Sequence, residues 1–271
     1  MKNFSIILII LAIPFLLFGR ISVIGGLTQN IQMNDGETKS GTITIRNDGI
    51  EPAEIKIYLT DYSFSHDGTT EYSEVGTNPR SIAEYITFNP HKTTIPPNSS
   101  TNVNYTIVIP KNTEDILFIG SLWSVFMVES IPKNSPESET FEPDTEYKMS
   151  IGINLRFAIQ IIVNFGETGE RKLEFLNAKI QKLKDKRILA VDVKNSGERH
   201  FRPNLTVELY DEMGIFIDKF TADKKHIYPN TSVRYLVDLT YVKSGKYKAL
   251  VIADGGDENL FGINYNIELK K

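Results

Sequence analysis

Residues 147–165 carry the pattern that most limits what this chain can fold into. Apolar side chains occupy every second position from Tyr147 to Phe165, and all but one of the positions between them are polar or small. An α-helix repeats about every 3.6 residues and a strand every two, so an alternation this long predicts one strand. It is also about three times the usual strand length. We therefore expect this strand to extend beyond its own sheet or to pass from one sheet to another.

The rest of the chain after residue 20 is typical of short strands joined by turns. The run 171–187 also suits an amphipathic helix, but we expect a strand that ends in a charged turn at 184–186. A proline-containing segment over 131–146 predicts a flexible, solvent-facing loop. Asp48-Gly49 predicts a short turn between the first two strands. Apolar or alternating runs predict strands over 42–46, 54–61, 82–88, 103–109, 116–128, 188–193, 205–210, 233–239, 246–253 and 262–269.

Regularly spaced strands with turn residues between them are the mark of a β-sandwich, and 271 residues are enough for two domains. We predict an all-β chain of two tandem immunoglobulin-like β-sandwich domains after an N-terminal signal segment. The predicted boundaries are 1–19 for the signal peptide, 20–168 for the first domain and 169–271 for the second. The net charge changes across this division, from −8 over residues 1–169 to +4 over residues 170–271.

The first residues have the composition of a secretory signal. Lys2 precedes an apolar stretch from Phe4 to Phe18, which as a helix would span roughly 22 Å of a hydrocarbon core that is about 30 Å thick. We expect a protein exported to the periplasm or elsewhere in the cell envelope. No small-residue cleavage triplet follows the stretch, so an uncleaved anchor stays open, and it would be the only membrane contact.

Composition argues against several other classes of protein. The chain has 30 Lys and Arg against 34 Asp and Glu, a net charge of −4, whereas nucleic-acid binding is normally driven by basic surfaces. It has no cysteine, which excludes disulfides and thiolate metal sites, and its four histidines are scattered. We expect no cofactor and no metal.

No residue pattern points to catalysis. His66-Asp67 lies in a predicted turn, and no nucleophile elbow precedes a helix anywhere. The acidic run from Asp254 to Glu258 fits no ordered calcium loop, so we expect a solvated hairpin turn. Trp123, the only tryptophan, is expected in a core. The sequence therefore predicts a protein that is not an enzyme.

Three segments carry a resemblance to a known family. They are the stretch FNP at 88–90 with IPP at 95–97 and VNY at 103–105; the run from Ile109-Pro110 through GSLWSVFMV at 120–128 to Ile131-Pro132; and the alternating strand at 147–165. In this order they resemble the PapD-like periplasmic pilus chaperones over most of residues 20–168. The second domain matches that family only as a generic immunoglobulin-like sandwich. A weaker resemblance is to the two-domain surface proteins that bind WxL proteins.

The resemblance implies binding of a pilus or surface subunit by strand addition, with the 147–165 strand as the donor strand. In that family an arginine and a lysine anchor the terminal carboxylate of the subunit. The corresponding positions here are Ile31 and Gln160, and neither side chain can neutralise a carboxylate. Arg156, on the same face as Gln160, is the remaining candidate cation.

The candidate partner-binding residues are Met149, Ile151, Ile153, Leu155, Arg156 and Gln160. We expect the four apolar side chains to insert into an incomplete partner, because burying each contributes about 1.5–3 kcal/mol. The alternative is that this row is the inner face of the chain's own sandwich, which we expect from Phe157 onward. The alternative function is a structural or adhesive envelope protein that has no client to release.

Replacing Ile151 and Ile153 together by Asp should abolish capture of a partner from envelope extracts, because two charges cannot enter an apolar groove. The melting temperature of the variant should stay nearly unchanged. A variant that unfolds would show instead that the row belongs to the core.

Overall fold

A computed structural model describes residues 21–112, 117–133, 135–139, 154–256 and 259–270. Within these residues the chain is all-β apart from one 3-10 turn at Ala83–Tyr85, which confirms the predicted fold class. The strands up to Phe165 are β1 (Ile21–Ile24), β2 (Thr28–Met33), β3 (Thr38–Asn47), β4 (Ala53–Phe64), β5 (Thr70–Ser73), β6 (Ile86–Asn89), β7 (Lys92–Ile95), β8 (Ser99–Val108), β9 (Gly120–Ile131) and β10 (Arg156–Phe165). The later strands are β11 (Leu173–Leu183), β12 (Lys186–Asn195), β13 (Asn204–Tyr210), β14 (Phe216–Thr221), β15 (Ser232–Asp238), β16 (Gly245–Asp254) and β17 (Leu260–Leu269).

Strands β1–β10 form the first sandwich. One sheet has the order β1-β3-β8-β6, and the other has the order β2-β10-β9-β4-β5, with β7 also paired to β4. The two sheets share one buried core, to which Ile45 and Ile107 contribute from the first sheet and Phe126 and Ile161 from the second. The predicted alternation of β10 therefore supplies one wall of this core.

Strands β11–β17 form the second sandwich, with sheets β11-β12-β15 and β14-β13-β16-β17. Its core is separate and includes Val191 and Tyr235 from one sheet and Val207 and Val251 from the other. Every strand of the described residues, and both cores, lie within residues 21–270. The division at residue 168 stays a prediction, and the two sets of strands lie on either side of it.

Three local predictions are wrong or incomplete. Residues 82–88 begin as the 3-10 turn, and only Ile86–Asn89 of that run forms a strand. The short turn predicted at Asp48-Gly49 forms, but the sequence did not show that it carries the chain from β3 in one sheet to β4 in the other. The loop expected to be flexible over 131–146 is tied to the sheet in its described part, where the Ser138 hydroxyl donates to Glu54 (3.1 Å). Its residues from 140 onward lie outside the described residues.

The strand predicted within 171–187 is confirmed. Residues Leu173–Leu183 pair with β12 along their length, and the chain reverses at Lys184, which has a positive φ of 56°. The helix alternative is excluded because these residues form an extended strand that is paired antiparallel with β12.

The same buried asparagine corner closes a turn in each sandwich. Asn47 ends β3 and Asn195 ends β12, and both are fully buried. Each side-chain oxygen accepts the N–H of the glycine two residues later (2.9 Å in both). Each amide nitrogen donates to carbonyls beside the turn: those of Glu51, Ile95 and Pro96 in the first corner, and the buried ones of Arg199 and Ile227 in the second. A local side chain thus satisfies backbone groups that no strand can reach.

We expect Asn195→Ala to lower the free energy of unfolding by about 3 kcal/mol, because the change leaves buried carbonyls and an N–H without partners. Chemical denaturation of the full chain measures this. Asn102→Ala is the matched control, since Asn102 is exposed and accepts only a surface bond from Thr44 (2.9 Å). An equal loss in both variants would contradict the role of the corner.

Candidate partner-binding edge

Strand β10 has one long edge that is covered along only part of its length. On one side it pairs antiparallel with β9 from Arg156 to Phe165. On the other side β2 pairs with it in parallel, but only from Gln160 to Phe165. Within the described residues no strand pairs with this side of residues 156–159, which we call the open edge.

The direction of the backbone groups at the open edge follows from the bonds on either side of it. The Leu155 carbonyl accepts from the N–H of Ser130 on the β9 side (3.0 Å), and the Gln160 N–H donates to Leu27 on the β2 side (2.8 Å). Alternate residues of a strand bond to opposite sides. Arg156 and Ala158 therefore direct their N–H and C=O groups outward at the open edge.

The odd-numbered side chains of β10 point into the first core. Ile159, Ile161, Val163 and Phe165 are almost completely buried there, so the inner-face interpretation expected from Phe157 onward holds for these residues. Phe157 itself is partly buried against the same core.

The predicted strand 147–165 is described only in its second half. β10 begins at Arg156, and Asn154 and Leu155 precede it without belonging to the strand. The Leu155 side chain is 37% exposed. Met149, Ile151 and Ile153 lie outside the described residues, so their role as partner contacts stays a prediction.

Arg156 is not free to bind a partner's carboxylate, because it is already paired with a carboxylate of this chain. Its guanidinium lies 3.1 Å from Glu129 of β9, and that buried carboxylate also accepts from the Tyr58 hydroxyl (2.9 Å) and the Asn154 amide (2.7 Å). Burial opposes ionisation of Glu129, but the hydrogen bonds from Arg156, Tyr58 and Asn154 outweigh it and hold its pKa below the usual value. Arg156 thus serves as the counter-ion of Glu129 beside the open edge.

Gln160 lies where the covered part of the edge begins, and its side-chain oxygen has two hydrogen-bond donors. Its Oε1 accepts from the Thr28 hydroxyl (3.3 Å) and from the hydroxyl of Tyr228 in the second sandwich. Burial raises the pKa of Tyr228, so its hydroxyl stays protonated and donates. Ile31, on β2, pairs with Val163 and packs against the first core. Neither Ile31 nor Gln160 places a cation here, as the sequence indicated.

The even-numbered face of β10 meets the second sandwich at an aromatic junction. Trp123 of β9, Ile162 of β10 and Tyr228 form a buried cluster, which we call the junction. The indole stacks on the Tyr228 ring with centroids 4.9 Å apart, and its N–H donates to the Tyr62 carbonyl (2.7 Å). Trp123 is buried, as expected, but between the two sandwiches rather than inside either core.

Polar contacts fix the junction on both sides of the aromatic cluster. Ser121 donates its N–H to the Glu198 carbonyl (2.9 Å), and its hydroxyl accepts from the N–H of His200 (2.8 Å). The fit is close: a Cβ on Gly120, whose φ is +73°, would lie 2.2 Å from the Glu198 carbonyl oxygen. The buried Arg199 donates to the carbonyl of Gly166 (2.6 Å) in the segment that connects the sandwiches. These bonds hold the two sandwiches in one orientation.

Ser232, His66 and Asp192 have the residue types of a catalytic triad but not its geometry. The Ser232 hydroxyl lies 3.0 Å from His66 Nδ1 but is buried, and it also accepts the His66 N–H (3.0 Å). Asp192 is 3.7 Å from His66 Nε2, while Arg234 binds both of its oxygens (2.6 and 2.8 Å). The group links the first sandwich to the second and presents no accessible nucleophile.

Sequence reasoning missed the role of Tyr228 in the junction and of His66 and His200 in contacts between the two sandwiches, because no local pattern places these residues at an interface. The two asparagine corners did leave a signal, an Asn-x-Gly triplet at 47–49 and again at 195–197.

Among the described residues, no group of three or more His, Cys, Asp or Glu could hold a metal ion. Asp254 accepts the N–H of Gly256 (2.9 Å) in a turn, while Asp257 and Glu258 lie outside the described part. No helix in the described residues is long and apolar enough to cross a membrane.

Comparison with models of protein families and with curated proteins gives no match. Solved structures that align with this chain are mostly pilus chaperones, the family that the sequence resembles. The class 5 fimbriae chaperone CfaA is 13% identical, with a TM-score of 0.46 over 91% of this chain and 98% of that one. The CsuC–CsuE chaperone–tip subunit pre-assembly complex of Acinetobacter baumannii is 12% identical, with a TM-score of 0.46 over 91% and 98%. The E. coli chaperone DraB is 13% identical, with a TM-score of 0.40 over 93% and 98%. At these values the alignments carry no argument about what this chain binds.

The histidine pair at the junction predicts loss of stability in acid. His200 Nε2 and His226 Nδ1 share a hydrogen bond of 2.8 Å, and burial, with the neighbouring His226, lowers the pKa of His200 to about 3. The unfolded chain takes up this proton near pH 6.5, whereas the folded chain does not. Stability is therefore complete above pH 6.5 and falls as the pH drops toward 3, by up to about 1.4 kcal/mol per pH unit for this group.

Unfolding by denaturant at several pH values between 6.5 and 4 checks this. His200→Gln should flatten the dependence, because its amide does not titrate, whereas His91→Gln at an exposed position should leave it unchanged. An unaltered slope in His200→Gln would contradict the prediction.

Proposed function

We propose that this chain is an exported, chaperone-like protein that binds another exported protein by adding a strand of that partner to the open edge of β10. The observation that carries the proposal is the edge itself. Its outward backbone groups at Arg156 and Ala158 are unpaired within the described residues, and the strand that bears them is fixed by β9, β2 and the junction. A rigid, unpaired edge is what strand addition requires.

Apolar side chains flank the open edge and supply contacts for a partner. Leu155 precedes it, and Leu27, whose carbonyl accepts from Gln160, lies at its other end; both are exposed. We extend this row from Leu155 to Met149, Ile151 and Ile153, which occupy every second position of the sequence before it. In this proposal main-chain hydrogen bonds give affinity, and the apolar row selects a partner of matching pattern.

The side chains at the point where β2 begins to cover β10 favour binding of an internal strand of the partner over binding of its chain terminus. Thr28 and Tyr228 are neutral and both donate to the neutral Gln160, and Arg156 is paired with Glu129. A terminal carboxylate placed here would lose water without gaining a cation. We therefore propose that recognition uses the backbone and apolar side chains of a pilus- or surface-type subunit.

The part of the proposal that concerns export rests on the sequence. The basic start and the apolar stretch over residues 4–18 lie outside the described residues. They support a signal peptide and hence a partner in the periplasm or the outer cell envelope.

Ala158→Pro tests the edge directly. Proline removes the outward N–H of residue 158, and this N–H makes no bond to β9, so the fold should survive while the bond to an added strand is lost. We expect capture of partner proteins from envelope extracts to fall at least about tenfold. Ala158→Ser, which keeps the N–H, is the matched control and should capture normally.

Hydrogen exchange on the purified complex gives a second, position-specific measurement. The amides of Arg156 and Ala158 should exchange fast in the free chain and slowly in the complex, while those of Phe157 and Ile159 stay slow in both. Normal capture by a folded Ala158→Pro chain, or a complex that leaves these two amides unprotected, would contradict strand addition at this edge.

A further inference from the structure

Several turns of the second sandwich meet at the end that lies away from the first, which we call the distal end. Strands β11, β13 and β15 run toward it from the junction side, and the turns that follow them lie there. Arg187 ties the β15–β16 turn to the start of β12 and the end of β17: its guanidinium donates to the Ser244 hydroxyl (3.3 Å) and to the carbonyls of Lys270 (3.1 Å), Thr240 (3.0 Å) and Val242. One side chain thus joins turns from both sheets.

Apolar side chains project into water from these turns. The most exposed are at the β13–β14 turn and the β15–β16 turn. Their exposed fractions are Met213 81%, Ile215 56%, Phe216 51%, Ile217 44% and Tyr241 97%, with Leu183 at 51% on the β11–β12 turn. Contiguous exposed apolar residues of this kind mark a contact surface.

The turns that carry these side chains are held in shape. Asp211 Oδ1 accepts the N–H groups of both Met213 and Ile215 (2.9 Å each), and its carbonyl accepts that of Gly214 (3.0 Å). Asp238 accepts the N–H of Thr240 (3.0 Å) in the other turn. Met213, Ile215 and Tyr241 are therefore presented on fixed backbones, and little ordering entropy is lost when they bind.

Positive charge surrounds the apolar tips. Two of the nearby carboxylates, Asp211 and Asp238, are used by the turns, and Asp238 also binds Lys186 (2.9 Å). Glu212 and Glu268 lie with Lys246 and Lys248 in a groove of about 370 Å³. Six lysines at or near this end make no ion pair within the described residues: Lys182, Lys184, Lys243, Lys246, Lys248 and Lys270. The carboxylates of this end that pair with no lysine or arginine in the described part of the chain are Asp185, Asp211, Glu212, Asp218 and Glu268, so the six lysines together with Arg187 leave a small positive excess.

We infer that the distal end docks on an anionic lipid bilayer, with Met213, Ile215 and Tyr241 entering the headgroup region and the lysines facing lipid phosphates. Side chains that are 81% and 97% exposed protrude, and they leave no concave site for a partner's side chain, whereas a fluid apolar layer can accept them. The excess of unpaired lysines matches an anionic surface. This inference does not depend on strand addition at β10.

Vesicle flotation tests the inference with the chain that starts at Ile21, which keeps every strand and both cores but lacks the apolar N-terminal stretch. It should bind vesicles of phosphatidylcholine mixed with phosphatidylglycerol and bind pure phosphatidylcholine weakly. Met213→Ser combined with Ile215→Ser should weaken binding about a hundredfold, because two apolar side chains no longer enter the bilayer. Lys246→Gln combined with Lys248→Gln should weaken it about tenfold or more, and only on the anionic vesicles.

Ile50→Ser is the matched control, since Ile50 is similarly exposed but lies on a turn of the first sandwich. It should bind as the parent chain does. Absence of binding to anionic vesicles, or equal binding by the Met213/Ile215 variant, would overturn the inference. So would self-association of the parent chain that this variant abolishes, because the apolar tips would then serve a second copy.

Discussion

The packing of Tyr228 against β10 is the contact on which the rest of this structure depends. The odd-numbered side chains of β10 fill the first core, and its even-numbered face is closed by a ring from the second sandwich that stacks on Trp123 and bonds to Gln160. A strand buried on both faces cannot twist or slide without opening two apolar clusters. The open edge is consequently a fixed feature of the protein.

An unpaired strand edge also carries a risk of uncontrolled association, and the structure limits that risk locally. The exposed stretch is short, because β2 covers the strand from Gln160 onward. Arg156 stands at the end of the open edge, paired to the buried Glu129. Charged side chains and short exposed lengths are common protections of natural sheet edges. Selective capture of a suitable strand, instead of general aggregation, is compatible with such an edge.

The sequence was most informative where a residue's environment is set by its nearest neighbours along the chain. The alternation ending at Phe165 correctly predicted a strand with an inner apolar face, and the turn after Leu183 followed from local charge. It could not show that Ile162 and Trp123 pack against a residue far along the chain, since periodicity assigns a face but not its partner. It placed a turn after Asn47 but could not show that this turn leads to the other sheet, because the bonds that redirect the chain come from residues 95 and 96.

The position of Tyr228 in the chain has a consequence for biogenesis. All strands that complete the first sandwich precede Phe165, so this half can close as soon as it emerges, whereas Tyr228 belongs to the other half. Until that half is synthesised and folded, Trp123 and Ile162 remain uncovered in an otherwise finished sandwich. A chain whose second half has not yet folded therefore exposes these two apolar side chains to other proteins, and a stall in synthesis or translocation between the two halves would prolong that exposure.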